Sequence, residues 1–288
     1  MLAYTTYSEA GGVGKTTLAA NLGVAHARRG RHVLLIDLDP QDGCLTHLLG
    51  SESDPAGEGD NLVRHLIDRP QGSFEELTES VADGVDLVPS HNMLEDLSDL
   101  LQQARRLEED SRPGNYEWPI YEQLLRVLRE ADVPSIYDVL IVDPPATPGA
   151  HLYNAIVATR SLVIPLELSG KGQQSITGLE DEVTNLSEEF EVNVGALAAV
   201  PNGYNPTKSG HQKYLQEIQE SEFDVPVVIN ERGAMFEGCW DQQCSAFEFV
   251  EEHRSRKRDR ERETLEKFDQ LAAHLETSAN LPDPEVEA

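Results

Sequence analysis

The heptapeptide GGVGKTT, Gly11–Thr17, lies between an apolar segment and a helical one, and no other feature narrows the fold as far. Leu2–Tyr7 reads as a short first strand, and Thr16–Arg29 carries Leu18, Leu22 and Ala25 at helical spacing. Gly30 stands where a helix C-cap belongs. A glycine-rich turn joining strand to helix lets backbone N–H groups converge on phosphate oxygens, and the positive helix end adds to the attraction. Lys15 is then placed for the β- and γ-phosphates, and the Thr16 hydroxyl for Mg²⁺. The general pattern G-x-x-x-x-G-K-[ST] wants glycine where Glu9 stands, so the loop departs from it at its first position.

The rest of the chain alternates in the same way. His32–Leu38 is a continuous apolar run, as a parallel strand buried on both faces should be. Val85–Pro89, Tyr137–Val142, Ser161–Leu168, Gly195–Val200 and Val225–Ile229 are further candidate strands, and helical stretches separate most of them. The expected fold class is α/β: a doubly wound, mostly parallel sheet of P-loop type with helices on both faces. Ligands in such sheets bind at the C-terminal ends of the strands. Asp37 and Asp39 in VLLIDLDPQDG, and Asp143 in YDVLIVDPPATPG, fall at two of those ends. Carboxylates there can hold Mg²⁺ or orient an attacking water.

Residues 1–278 are expected to form one domain, with surface insertions at 51–60 and 108–118, followed by an acidic disordered tail at 279–288. No stretch approaches the roughly 20 apolar residues of a membrane span, and the N-terminus leaves no room for a signal peptide, so a cytoplasmic location is expected. Cys44, Cys239 and Cys244 make no disulfide framework, and the C-x4-C pair lacks the spacing usual in zinc sites. The formal net charge is −29, and only six of the 23 basic residues are lysines. A carboxylate-rich surface short of lysine suits a cytoplasm of very high salt, although an ordinary acidic protein is the alternative.

GGVGKTT, LLIDLDPQ, YDVLIVDPP and SLVIPLELSGKGQQSITGLE together resemble the ParA group of the deviant Walker A ATPases, within the ParA/MinD superfamily. The resemblance runs from residue 2 to about 275. It implies an ATPase that binds ATP and ADP with Mg²⁺, forms an ATP-dependent homodimer and partitions plasmids or chromosomes with a ParB-like or other adaptor. By position, Gly11, Gly12, Val13, Gly14, Lys15, Thr16 and Thr17 would hold the nucleotide, with Thr17 on the α-phosphate. Thr16, Asp39 and Asp143 would serve the metal, Asp39 would position the attacking water, and Asn202 falls where relatives often contact adenine. The family's signature lysine, which reaches the partner's nucleotide, is Ala10 here, and the usual D-x-P-P reads Asp143-Pro144-Pro145. Lys171, within SGKG beyond a strand's C-terminal end, is the candidate replacement, with an arginine such as Arg232 as the alternative.

His253–Arg262 gathers Arg254, Arg256, Lys257, Arg258, Arg260 and Arg262 on an otherwise acidic chain. Such clustering reads as a footprint for DNA phosphates, or else as a solvated helix face with compensating acids. ParA proteins often bind DNA non-specifically through C-terminal basic residues, which implies a nucleoid-associated protein. Leu265, Phe268, Leu271 and Leu275 form a stripe expected to pack into the core rather than on a membrane. Met235, Phe236 and Trp240 are expected at a partner surface or in the nucleotide pocket wall, with ordinary packing as the equal alternative. Two further readings stay open: a relative that positions non-DNA cargo, and a nucleotide-binding scaffold with little turnover.

Overall fold

The computed structural model describes residues 1–8, 10–112, 114, 116–169, 184–185, 187–188, 192–254 and 258–282. Of the expected tail at 279–288, residues 283–288 lie outside them. The strands are β1 (Leu2–Thr6), β2 (Val33–Asp37), β3 (Glu79–Ala82), β4 (Val85–Val88), β5 (Val139–Asp143), β6 (Ser161–Glu167) and β7 (Gly195–Asn202). They form one sheet in the order β3-β4-β2-β5-β1-β6-β7, parallel throughout except where β3 pairs antiparallel with β4. Around it lie α1 (Lys15–Arg28), α2 (Leu45–Leu48), α3 (Leu62–Leu66), α4 (Leu97–Ser111), α5 (Gln123–Glu130), α6 (Val133–Ile136) and α7 (Ala150–Thr159). The C-terminal part contributes α8 (Ser209–Gln219), α9 (Gly233–Gln242), α10 (Ala246–Glu248), a π-helical turn (Phe249–His253) and α11 (Asp259–Ser278).

Each central strand feeds two apolar layers, because successive side chains point to opposite faces. Val33 and Leu35 of β2 join the layer under α1 and α11, while Leu34 and Ile36 join the layer under α4 and α5. That is why β2 and β5 are buried at every position and read as unbroken apolar runs. The stripe Leu265, Phe268, Leu271 and Leu275 is buried in the first layer, as expected. The sheet order puts β5 between β1 and β2, so the glycine loop, Asp39 and Asp143 share one edge.

The structure departs from expectation in three places. Val225–Ile229 is not a strand. It runs extended beside β7, with Ala199 N donating to Asp224 O (2.8 Å) and Ile229 N to Pro201 O (2.9 Å), but Pro226 has no N–H for a ladder. β3 was not expected, although Asp83-Gly84, with Gly84 at φ 71°, is the two-residue turn that closes the hairpin to β4. The second expected insertion begins as helix, since Glu108–Ser111 ends α4, and Trp118 at its far end is buried.

A polar clasp joins α1 to α11. Glu276 is buried and accepts from His26 Nδ1 (2.8 Å), Arg29 Nε (3.0 Å) and Arg31. Tyr4 extends the clasp under the sheet, with its hydroxyl 3.2 Å from His26 Nε2.

Candidate functional site

The glycine loop is shaped by its backbone. Gly12 and Gly14 have φ of 76° and 95°, in the left-handed region that side chains disfavour. The Ser8 hydroxyl pins the entry, accepting from Ala10 N (3.2 Å). Asn202, at the end of β7, donates from Nδ2 to Val13 O (2.7 Å), and a Cβ on Gly14 would overlap that amide. Gly14 is therefore required twice, once by its dihedral and once by its neighbour.

Asp143 stands at the end of β5, with 1% of its surface exposed. The Thr6 hydroxyl donates to its Oδ1 at 2.5 Å, whereas Oδ2 is buried with no hydrogen-bond partner among the described residues. Burial, and then the charge of Asp37, lift this carboxyl to about 7, against the Thr6 hydrogen bond, the nearby Thr16 hydroxyl and the charge of Lys15. Burial also lowers the pKa of Lys15, which Asp143 and Asp39 oppose. A buried carboxylate oxygen with no donor, beside a threonine hydroxyl, is the hard oxygen set that Mg²⁺ takes, so these residues fit that ion.

The two aspartates at the end of β2 and just beyond it divide the work. Asp37 is fully buried; its Oδ2 accepts from Thr46 N (2.7 Å) and Thr46 Oγ1 (2.6 Å), and its Oδ1 from Asp39 N (3.0 Å). It fixes the loop into α2. Asp39 is half-buried, and its side chain accepts only from Gln41 N (3.0 Å) among the described residues. Its carbonyl is held by the Ser90 hydroxyl at 2.6 Å, and its charge reaches both Lys15 and His151. Thr6 and Ser90 carry no motif, and only the strand order reveals that they hold the two acids.

A cavity of about 200 Å³ adjoins the loop, lined by Gly12, Gly14, Thr17, Asn202, Phe236 and Phe268 among others. Phe236 is thus a wall of the pocket beside the loop. Met235 is buried in the core, and the Trp240 ring stacks on His47, with centroids 6.2 Å apart and planes 21° apart.

The other candidate cations are placed differently. Lys171, Arg256 and Lys257 lie outside the described residues. Arg254 is turned inward: it donates to Glu261 (2.9 Å) and to Ala234 O (3.2 Å), and its guanidinium covers Phe249 at 4.7 Å. Arg258, Arg260 and Arg262 are exposed. Arg232 donates to Arg260 O (3.0 Å) and Glu231 O (3.0 Å), so it is occupied within its own chain. No helix among the described residues is long and apolar enough to cross a membrane.

Residues 4–195 match the family described as AAA domain. The chain is 31% identical over 233 residues to a probable plasmid-partitioning protein ParA of Thermus thermophilus, covering 78% of this chain and 65% of that one. It is 28% identical over 241 residues to the maintenance of carboxysome distribution protein A of Synechococcus elongatus, covering 79% and 84%. Among solved structures it resembles apo McdA of Cyanothece, with a TM-score of 0.73 and 21% identity over 96% of this chain and 99% of that one. It also resembles a cobyrinic acid a,c-diamide synthase of Mycobacterium smegmatis, solved with a bound ATP analogue and magnesium. There the TM-score is 0.72, with 21% identity over 100% of both chains.

Proposed function

This chain belongs to the AAA-domain family and, within it, to the ParA/MinD superfamily of P-loop ATPases, and from that membership we propose an ATP-hydrolysing switch that partitions DNA. Its cofactors are ATP or ADP and Mg²⁺. Magnesium, when bound, supplies charge neutralisation at the phosphates. The chain's own residues do the rest in this reading. Gly11, Gly12, Val13 and Gly14 present amides to the phosphates, Lys15 binds the terminal ones, and Thr17 reaches the α-phosphate. Thr16 and Asp143 hold the metal, assisted by Asp39, which also orients the attacking water. Asn202 borders the base-sized cavity, and the positive end of α1 lies under the site.

One observation carries the reading: a buried Asp143 oxygen without a donor, set beside Lys15 and Thr16 at the glycine loop. ATP binding would drive residues 1–278, acting as one domain, into a homodimer. Lys171 replaces the family lysine absent at Ala10. The exposed arginines Arg258, Arg260 and Arg262 favour non-specific DNA as the surface the dimer holds, with a ParB-like adaptor resetting the switch. Such a protein would work in the cytoplasm, at the nucleoid. The acidic, lysine-poor surface is consistent with a halophilic host.

Steady-state ATP hydrolysis with and without duplex DNA tests the proposal. Turnover that requires Mg²⁺ and rises with DNA or adaptor is expected; nucleotide binding without turnover under every condition would make the chain a scaffold. A second reading, positioning of a non-DNA cargo, draws on the likeness to a protein named for carboxysome distribution. It predicts normal turnover with no retention on DNA.

A further inference from the structure

Around the short helix α10 and the π-helical turn that follows it, three side chains of different chemistry converge. Cys244, Glu248 and His253 offer a thiol, a carboxylate and an imidazole whose ligand atoms all lie within 4.8 Å of one another. The spacing C-x3-E-x4-H would scatter these groups around an ordinary helix, because residues five apart sit on different faces at 3.6 residues per turn. Phe249–His253 is instead a π-helical turn, in which i and i+5 come into line, so His253 rises over Glu248. Such turns are energetically disfavoured and recur at functional sites.

We propose that Cys244, Glu248 and His253 form a zinc site, separate from the nucleotide site, that clamps the turn from which the basic segment departs. The donor set selects the metal. Thiolate and imidazole favour zinc over the hard cations that oxygen ligands hold, and three protein ligands leave a fourth position for water. The surroundings are built to hold the ligands still. Cys244 is 3% exposed, and its N–H donates to Cys239 O (3.1 Å). The Ser245 hydroxyl caps α10 by accepting from Glu248 N (3.2 Å), and Ala246 N donates to Asn21 Oδ1 on α1 (2.8 Å). The His253 ring stacks on Phe249, with centroids 6.3 Å and planes 21° apart, which fixes the imidazole. Binding requires the thiol proton to leave, so affinity rises with pH. Cys239 is not a member: its thiol donates to Met235 O at 3.2 Å.

The test uses the full chain, stripped of metal and free of nucleotide and Mg²⁺. Titration with Co²⁺ should give one ion per chain, with a near-ultraviolet thiolate-to-cobalt charge-transfer band that Zn²⁺ then displaces. An ion at the nucleotide site has only oxygen ligands and gives no such band. Cys244→Ser should abolish the band, and His253→Ala, at an exposed position, should weaken Co²⁺ binding at least tenfold without unfolding the chain. Cys239→Ser should leave the spectrum unchanged. The absence of a charge-transfer band in the wild type, a band that survives Cys244→Ser, unaltered affinity in His253→Ala, or loss in Cys239→Ser would each overturn the site.

Discussion

Arg31 donates both Nε (3.2 Å) and Nη2 (3.0 Å) to one oxygen of Glu276, and each side chain is only 4% exposed. Burial alone would raise the Glu276 carboxyl. Hydrogen bonds from His26, Arg29 and Arg31 overcome that and hold it at about 2. A carboxyl held below its ordinary value of 4.5 contributes stability that is complete above that pH and is lost as pH falls towards 2. Acid unfolding followed by circular dichroism should therefore show a transition in that window. Glu276→Ala should remove it and cost about 3–5 kcal/mol at neutral pH, because Arg31 is left buried without its partner.

Lys15→Ala should weaken triphosphate binding itself. Asp39→Ala should keep ATP bound and lower turnover by about 10²-fold or more, since the group acts on the water rather than on the ground state. Titration with a fluorescent nucleotide and a phosphate-release assay separate the two effects. Turnover at the wild-type rate in Asp39→Ala would remove that residue from its assigned role.

Gly14→Ala should prevent nucleotide binding even if the chain folds. The added carbon meets Asn202 Nδ2, and the backbone there has φ 95°. Such a backbone costs a side chain about 1–3 kcal/mol. Gly11→Ala, with open space around the new carbon, should be far milder. Equal nucleotide affinity in the two variants would show that Asn202 does not constrain the loop.

Reversing Arg258, Arg260 and Arg262 to Glu should weaken retention on random duplex across all sequences and flatten its salt dependence, as expected for phosphate contacts. Arg254→Glu should behave differently. It places a second acid against the buried Glu261, so loss of thermal stability should precede any DNA phenotype. Identical retention of wild type and the triple variant from low to molar salt would refute a DNA role for this segment.

Lys171→Ala should reduce ATP-dependent dimerisation or turnover while nucleotide affinity of the monomer is largely kept. Sizing experiments with ATP and with ADP, alongside steady-state hydrolysis, decide it. Unchanged dimerisation and unchanged turnover would leave the position of Ala10 without a substitute.

The nucleotide-facing edge was legible because two kinds of signal agreed. GGVGKTT sets its own backbone, and Asp39 and Asp143 end apolar runs that can only be buried strands. Asn202 was expected at adenine; what the structure shows is its contact with Val13 O, which depends on a register no single sequence prints. Other features were hidden for physical reasons. Val225–Ile229 has strand composition, but a proline within it removes a donor, and composition does not report hydrogen bonding. Arg254 has the same side chain as Arg258, yet burial of Glu261 seven positions away decides that it turns inward. The π-turn has no sequence signature at all, so the convergence of Cys244, Glu248 and His253 emerges only in three dimensions.

The clasp at Glu276 has a consequence for how any signal leaves the nucleotide. Leu18 and Phe268 line one cavity, and His26 and Glu276 are hydrogen-bonded, so α1 and α11 advance together in the same direction. Ten residues of helix then carry Arg258 about 15 Å beyond Phe268, past the phosphate end of α1. Because the two helices are fastened at the far end, ATP has little freedom to slide those arginines relative to their own chain. On the proposed reading, what ATP would change is how many such arginine sets one duplex meets. A pair of chains sharing a duplex would then gain avidity by valency rather than by reshaping either member, and would release it as soon as the pair divided.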